Sequence, residues 1–251
     1  MPERRFARPR HGTVAAALAA LDPAFLGACR CWFGGGTRIV LELDEYRESE
    51  DIDLLCSSLA GYRALRSTIS DHSLGRIAAR PLVLAREVRA DRYGIRTVLE
   101  VDKAKLRLEI VLEGRIALAG GGDIGLGVPC LSRADCFAEK LLANADRWHD
   151  DAVLSRDIID LSFMIERWDA AEATAGAALA RRAYGDLVDR AVREAAQRLL
   201  DVEAQRKRCI AALRVVDVKM LLAGLRKLGR RGALGAPTRK AMRRGDGVEP
   251  A

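Results

Sequence analysis

Three glycines, Gly34-Gly35-Gly36, run into Thr37, and 14 residues after Thr37 the chain reads Asp51-Ile52-Asp53. Each half alone is common: a glycine run is usually a tight turn, and two aspartates on one strand face are often merely solvated. Together they have a chemical use. Glycine lets the backbone approach a phosphate closely, and a helix beginning at Thr37 offers unpaired N–H groups and the positive end of its dipole. Carboxylates at i and i+2 of a strand leave from one face and can hold divalent cations. Such cations bridge triphosphate oxygens and lower the pKa of an attacking hydroxyl. A phosphate cradle of Gly35, Gly36 and Thr37 beside the metal ligands Asp51 and Asp53 makes a nucleotidyl-transfer site. A two-metal site requires a third carboxylate on a neighbouring strand. In Leu106-Arg107-Leu108-Glu109-Ile110 the apolar residues face one way and Arg107 and Glu109 the other, which makes Glu109 the candidate. Asp102 lies close enough to keep the assignment open, and an ordinary exposed strand glutamate is the competing reading.

Positioning these groups calls for a strand, a glycine turn, a helix and a second strand. Ala28 to Phe33 is a compact apolar run, Arg38 to Leu43 reads as helix, and Asp51 to Cys56 as strand. Thr13 to Leu21 is expected to be a short helix closed near Pro23, and Tyr62 to Ala79 another. Ile95 to Val101 and Leu106 to Leu112 alternate around a polar break and predict a β-hairpin. Gly120 to Pro129 reads as a flexible break, beyond which the pattern is helical: Arg133–Trp148, Ser155–Trp168, Ala170–Leu200 and Ala204–Leu228. The expected fold is α/β (α+β): a small mixed-sheet core over residues 1–122, a helical domain over 123–228, and a basic, disordered tail over 229–251. Trp32, Phe33, Trp148, Phe163 and Trp168 are expected in the core.

At 251 residues, 49% hydrophobic and 31% charged, the chain can bury a substantial core and is not compositionally disordered. No apolar run is long enough to span a membrane, and the basic start lacks the apolar stretch of a secretory signal. Six cysteines without a C-x-x-C pair or neighbouring histidines argue for free thiols in a reducing cytoplasm. Net charge is +7 and unevenly placed: 13 basic and 4 acidic residues follow from Glu203 onward, against 29 and 31 before it. That excess suits a polyanion such as RNA, a solvated tail, or docking of an acidic partner.

Gly35-Gly36-Thr37, followed by Arg47-x-Ser49-x-Asp51-Ile52-Asp53, resembles the signature of the DNA polymerase β-like nucleotidyltransferases. More narrowly it is similar to the AbiEii/AbiGii toxins of bacterial abortive-infection and toxin–antitoxin pairs. That family carries a second cluster, matched here by Lys140 and Arg147 seven apart on one helix and by Arg156-Asp157-Ile158-Ile159-Asp160 on the next. Four motifs in order cover residues 28–170. Arg38 departs from the family's small or apolar residue and is either a phosphate contact or a restriction on substrate. The resemblance implies a helical domain closing over the nucleotide. It also implies Mg²⁺ or Mn²⁺ at Asp51, Asp53 and Glu109, and nucleotide contacts from Gly35, Gly36, Thr37, Arg38, Ser49, Lys140 and Arg147. Lys140 suits a triphosphate as a point charge and Arg147 a bidentate phosphate contact. Asp157 and Asp160 are expected to organise Lys140, Arg147 and Arg156, with direct catalysis by Asp157 as the lesser reading.

The expected activity is transfer of a nucleotide from a nucleoside triphosphate to an RNA, tRNA-like acceptor, by a cytoplasmic toxin with a cognate antitoxin and no membrane role. A protein hydroxyl or small-molecule acceptor is the alternative, and a non-catalytic nucleic-acid-binding relative the third reading.

Overall fold

The computed structural model describes residues 6–235. Its centre is a five-stranded sheet in the order β1-β2-β5-β4-β3, built from β1 (Cys31–Phe33), β2 (Ile52–Cys56), β3 (Val83–Ala90), β4 (Gly94–Val101) and β5 (Ala104–Leu112). The β2/β5 pairing is parallel and the other three are antiparallel. This is the small mixed sheet expected. The β4–β5 hairpin is also as expected. It closes through Asp102-Lys103, both in the left-handed region that a two-residue hairpin turn demands.

Strand alternation assigns the two faces. Ile52, Leu54, Ile95, Leu99, Leu106, Leu108 and Ile110 turn inward onto α1 (Pro9–Leu18), α2 (Pro23–Ala28) and α4 (Leu59–Ser67) and form one hydrophobic core. The opposite face of β2 starts with Asp53 and ends with Leu55. Leu55 joins a second core with Trp32 and the helices that follow: α3 (Gly35–Glu42), α5 (Arg133–Arg147), α6 (Arg156–Arg167), α7 (Ala170–Tyr184), α8 (Leu187–Asp201), α9 (Glu203–Leu213) and α10 (Val218–Leu228). One strand face therefore carries acid at one end and core at the other. Capping boxes at Ser132/Asp135 and Asp169/Glu172 satisfy the free N–H groups that start α5 and α7.

Several expected elements differ, and each difference has a local cause. The helix expected over 62–79 stops at Ser67; a turn closed by Ser70 and Ser73 follows, and Gly75, at φ +54°, packs against the Thr68 carbonyl. The long helices expected over 170–200 and 204–228 are each broken, by left-handed Gly185 and by left-handed Arg214 with Asp217 capping α10. The first helix ends earlier, and Pro23 opens α2 rather than closing α1. Strand β3 was not foreseen.

The glycine segment after residue 119 is not a flexible break. It is pinned to the sheet by Phe33 N–H to Pro129 O and Leu131 N–H to Phe33 O, with Val128 and Cys130 fully buried. Residues 229–235 are not disordered either: they turn and bury Leu234 against the helical core. The rest of the tail expectation lies outside the described residues. Among the described residues no helix is long and apolar enough to cross a membrane.

Helices α6 and α10 approach at Gly224, where a Cβ would stand 2.2 Å from the Ser162 carbonyl oxygen. Gly224→Ala is expected to cost about 1–3 kcal/mol of stability and lower Tm by several degrees. An unchanged thermal melt would refute this contact.

Candidate active site

In the parallel β2/β5 ladder Asp53 stands directly opposite Glu109, so both side chains leave the same face. Asp51 precedes the strand by one residue and reaches Arg107, 3.7 Å from Oδ1 to Nε. Glu109 is also engaged: Arg96, its partner on β4, donates from Nε at 2.6 Å. Asp102 sits in the hairpin turn at the far end of the β4–β5 ladder, which removes it as the third acid. These acids face a cleft of about 320 Å³ that is also lined by Gly35, Gly36, Ser49, Lys140, Arg147 and Arg156.

The glycine turn is shaped around the acids. Gly35, not Thr37, opens α3, and it does so at φ +66°. A Cβ there would lie 2.1 Å from Asp53 Oδ2, so only glycine fits. The Gly34 N–H is bonded to the Asp53 carbonyl, which fixes the turn against the strand. Thr37 is fully buried and shares a hydrogen bond of 2.8 Å with the Ser49 hydroxyl; it holds the loop and does not line the cleft.

Arg38 does not reach phosphate. Its side chain is buried, paired with Glu42 and laid over the Trp168 ring with 5.2 Å between guanidinium and centroid. The expectation of a nucleotide contact fails there because Arg38 lies on the face of α3 turned into the helical core.

The cations of α5 are held by the acids of α6. Lys140 Nζ is 2.9 Å from Asp157 Oδ1 and 2.7 Å from Asp160 Oδ2. Arg147 meets Asp157 in a two-point contact of 2.7 and 3.0 Å. Asp160 accepts a second two-point contact from Arg47, at 2.7 and 2.9 Å, and the Tyr46 hydroxyl. Asp157 therefore has both oxygens engaged by cations and does not itself line the cleft. Arg156 pairs with neither aspartate, contrary to expectation, and lines the cleft instead. Phe163 stacks on Tyr46 at 4.0 Å, and Trp168, Trp32 and Phe33 are buried; Trp148 is only partly so.

Residues 16–220 match the family model described as the nucleotidyl transferase AbiEii toxin of type IV toxin–antitoxin systems. The chain belongs to this AbiEii family. Its members are nucleotidyltransferases, and the toxin–antitoxin context carries an antitoxin partner and a nucleoside triphosphate substrate. The fold is similar to that of a solved H. pylori protein described as a nucleotidyltransferase, with TM-score 0.51 and 15% identity over 87% of this chain and 93% of that one. JHP933 from Helicobacter pylori aligns over 90% and 94% of the two chains, with 14% identity and TM-score 0.49. No curated protein matches the sequence.

In this AbiEii chain the electrostatics divide the site into two halves. Burial, and then the neighbouring charge of Asp51, push Asp53 from 3.8 to about 6, with Lys140 offsetting part and Glu109 adding to the rise. Burial also opposes ionisation of Asp157, but Lys140 and Arg147 outweigh it and hold that carboxyl well below the usual range. Burial opposes the charge on Lys140, but Asp157 and Asp160 outweigh it and raise its pKa.

Among the described residues no three His, Cys, Asp or Glu side chains are gathered closely enough to hold a metal ion as they stand. The donor set nonetheless fits a divalent cation: two hard oxygen donors share a face, and the repulsion that raises Asp53 is what a cation relieves.

The sequence reading overlooked Tyr46, and also the group Glu113, Arg115 and Glu139 at one side of the cleft. Arg115 bridges the other two at 2.7 and 3.1 Å, and burial, then Glu113, raise Glu139 to about 8. The Glu113-x-Arg115 spacing was a weak signal; Glu139, adjacent to Lys140, was a stronger one.

A carboxyl raised in the folded state loses stabilisation as pH rises from its unfolded value through its folded one. Asp53→Asn is therefore expected to stabilise the metal-free protein by about 1–3 kcal/mol near pH 8, with the gain vanishing below about pH 3. Equal or lower Tm across the range, measured in chelator, would refute the strain at Asp53.

Proposed function

We propose that this chain transfers a nucleotide from a nucleoside triphosphate to a hydroxyl at the end of an RNA, with a divalent metal ion, as a cytoplasmic toxin held in check by its antitoxin. The observation that carries this reading is the Asp53–Glu109 pair, set across β2 and β5 beneath the glycine turn and facing Lys140, Arg147 and Arg156. Carboxylates on one wall and cations on the other suit a substrate whose phosphates are to be neutralised from both sides.

Asp51 and Asp53 would hold Mg²⁺ or Mn²⁺, and Glu109 would join them on exchanging Arg96 for the metal. The ion supplies charge neutralisation on the triphosphate and acidifies the attacking hydroxyl. The start of α3 at Gly35 and Gly36, which line the cleft, would offer backbone N–H groups to phosphate oxygens. Ser49 adds a hydroxyl, and Arg147 and Arg156 offer guanidinium donors towards the pyrophosphate that leaves. Lys140 contributes its charge from behind, since it is committed to two aspartates. As the acceptor oxygen bonds to the α-phosphorus, the bridging α–β bond breaks and the hydroxyl proton is released. The functional division falls near residue 122: the sheet half brings Asp51, Asp53 and Glu109, and the helical half Lys140, Arg147 and Arg156. The acceptor is taken as RNA because arginines continue outward from the acids along the sheet.

Incubation of purified protein with each labelled nucleoside triphosphate and total RNA tests the reading. Label should enter RNA and vanish with chelator. Asp51→Ala should reduce the rate at least about 100-fold with folding intact, as loss of metal stabilisation costs several kcal/mol of barrier. A variant retaining more than about a tenth of the wild-type rate would overturn the assignment.

A further inference from the structure

The second opening in the molecule lies on the uncovered face of the sheet, beside the acids and away from the helical half. It is a groove of about 820 Å³ lined by Arg86, Arg89, Arg96 and Arg107, with Glu87 and Glu109 the acids among its lining residues. The ladder registers give its layout. Asp53 on β2 is paired with Glu109 on β5, Glu109 with Arg96 on β4, and Arg96 with Arg89 on β3. Directly paired residues share a face, so these four side chains form one row across four strands. A parallel row runs Arg107, Val98, Arg86.

Arg86 and Arg89 are three apart and would normally point to opposite faces. The register shift between them on β3 inserts the extra residue that brings both to the same side. Both are exposed, and among the described residues neither pairs with a carboxylate, unlike Arg96 and Arg107. An edge strand thus presents two uncommitted guanidiniums at about 14 Å, three strand spacings, from Asp53.

We propose that this groove is the acceptor track: the phosphates of a single-stranded RNA end lie along Arg86, Arg89 and Arg96, delivering the terminal hydroxyl to Asp53. The inference rests on the reading of the chain as a nucleotidyltransferase with an RNA acceptor, and assigns the surface that receives it. The charge order fits: cations farthest from the acids grip the backbone, and the row ends in acids where the hydroxyl must react. The strand crosses the ladder rather than following one β-strand, because the cations are aligned across it.

The test uses the full chain carrying Arg86→Gln with Arg89→Gln, both on the exposed edge and outside the nucleotide cleft, and Arg182→Gln with Arg190→Gln, exposed on α7 and α8, as a charge-matched control. Binding of a short fluorescein-labelled single-stranded RNA is read by anisotropy over a salt series, and transfer is read separately as kcat/KM for RNA. The double variant should bind at least about tenfold more weakly, with its salt slope smaller by about 1.4, two phosphate contacts at about 0.7 each. Its Tm and its affinity for the nucleoside triphosphate should match wild type, and the control should change nothing. Transfer that persists with unaltered RNA affinity, slope and kcat/KM overturns the track and leaves the nucleotidyltransferase reading standing. Arginine-dependent RNA binding by a wild-type protein that transfers nothing to RNA retains the track as an RNA surface and overturns the transfer reading. A defect confined to antitoxin binding overturns the track in favour of a protein partner.

Discussion

The site depends on one buried carboxylate. Asp160 is fully buried and gathers Arg47, Lys140 and the Tyr46 hydroxyl around its two oxygens. Those partners come from the loop after α3 and from α5, while Asp160 itself is on α6, so a single anion joins the glycine-turn half to the helical half. A buried charge of this kind costs several kcal/mol to desolvate and is tolerated because its partners supply charge and directed donors together. Removing it would strand Arg47 out of water and leave Lys140 with Asp157 alone. The adjoining Asp157 repeats the arrangement with Lys140 and Arg147, so each acid of α6 orders a cation on either side.

The two groups of carboxylates are treated in opposite ways. The acids of α6 are saturated with cations and held ionised. Asp53 has no donor to its carboxylate among the described residues, and its neighbours Asp51 and Glu109 worsen its position. The acids of α6 are compensated within the fold, whereas Asp53 is left without a cation of its own. Stability is given up at Asp53, which is where a strained electrostatic arrangement has a chemical use.

Much of this was legible in the chain. Asp51-x-Asp53 and the apolar alternation of residues 106–110 gave the shared face of the acids, because strand periodicity is rigid. The glycine turn was legible because few residues tolerate such contact. Strand β3 was not, since an edge strand with only Val88 buried and a register shift at its centre has no clean alternation to read. Arg38 misled because its neighbours suggested a phosphate cradle, while its direction was set by helical phase and by Trp168 distant in sequence. The pairing of Arg47 with Asp160, 113 residues apart, has no local signature at all. Helix breaks at Gly185 and Arg214 were hidden because helical apolar periodicity resumes directly after each, in α8 and α10.

The loop carrying Tyr46, Arg47 and Ser49 is restrained from both ends of the chain. His11 Nε2 accepts from the Ser49 N–H, and Glu45 receives the backbone N–H groups of Ala7 and Arg8. From the other side, the Glu48 N–H is bonded to the Leu213 carbonyl and the Val216 N–H to the Tyr46 carbonyl. A ribosome delivers these restraints in order, the first once Ser49 has been made and the last only after Val216. Throughout synthesis of the intervening helices the loop that sets Arg47 against Asp160 is therefore held at one end alone. A nascent or truncated chain ending before the α9–α10 corner carries every acid and cation of the cleft without the clamp that fixes their relative positions. Completion of the clamped cleft therefore waits on translation of the α9–α10 corner.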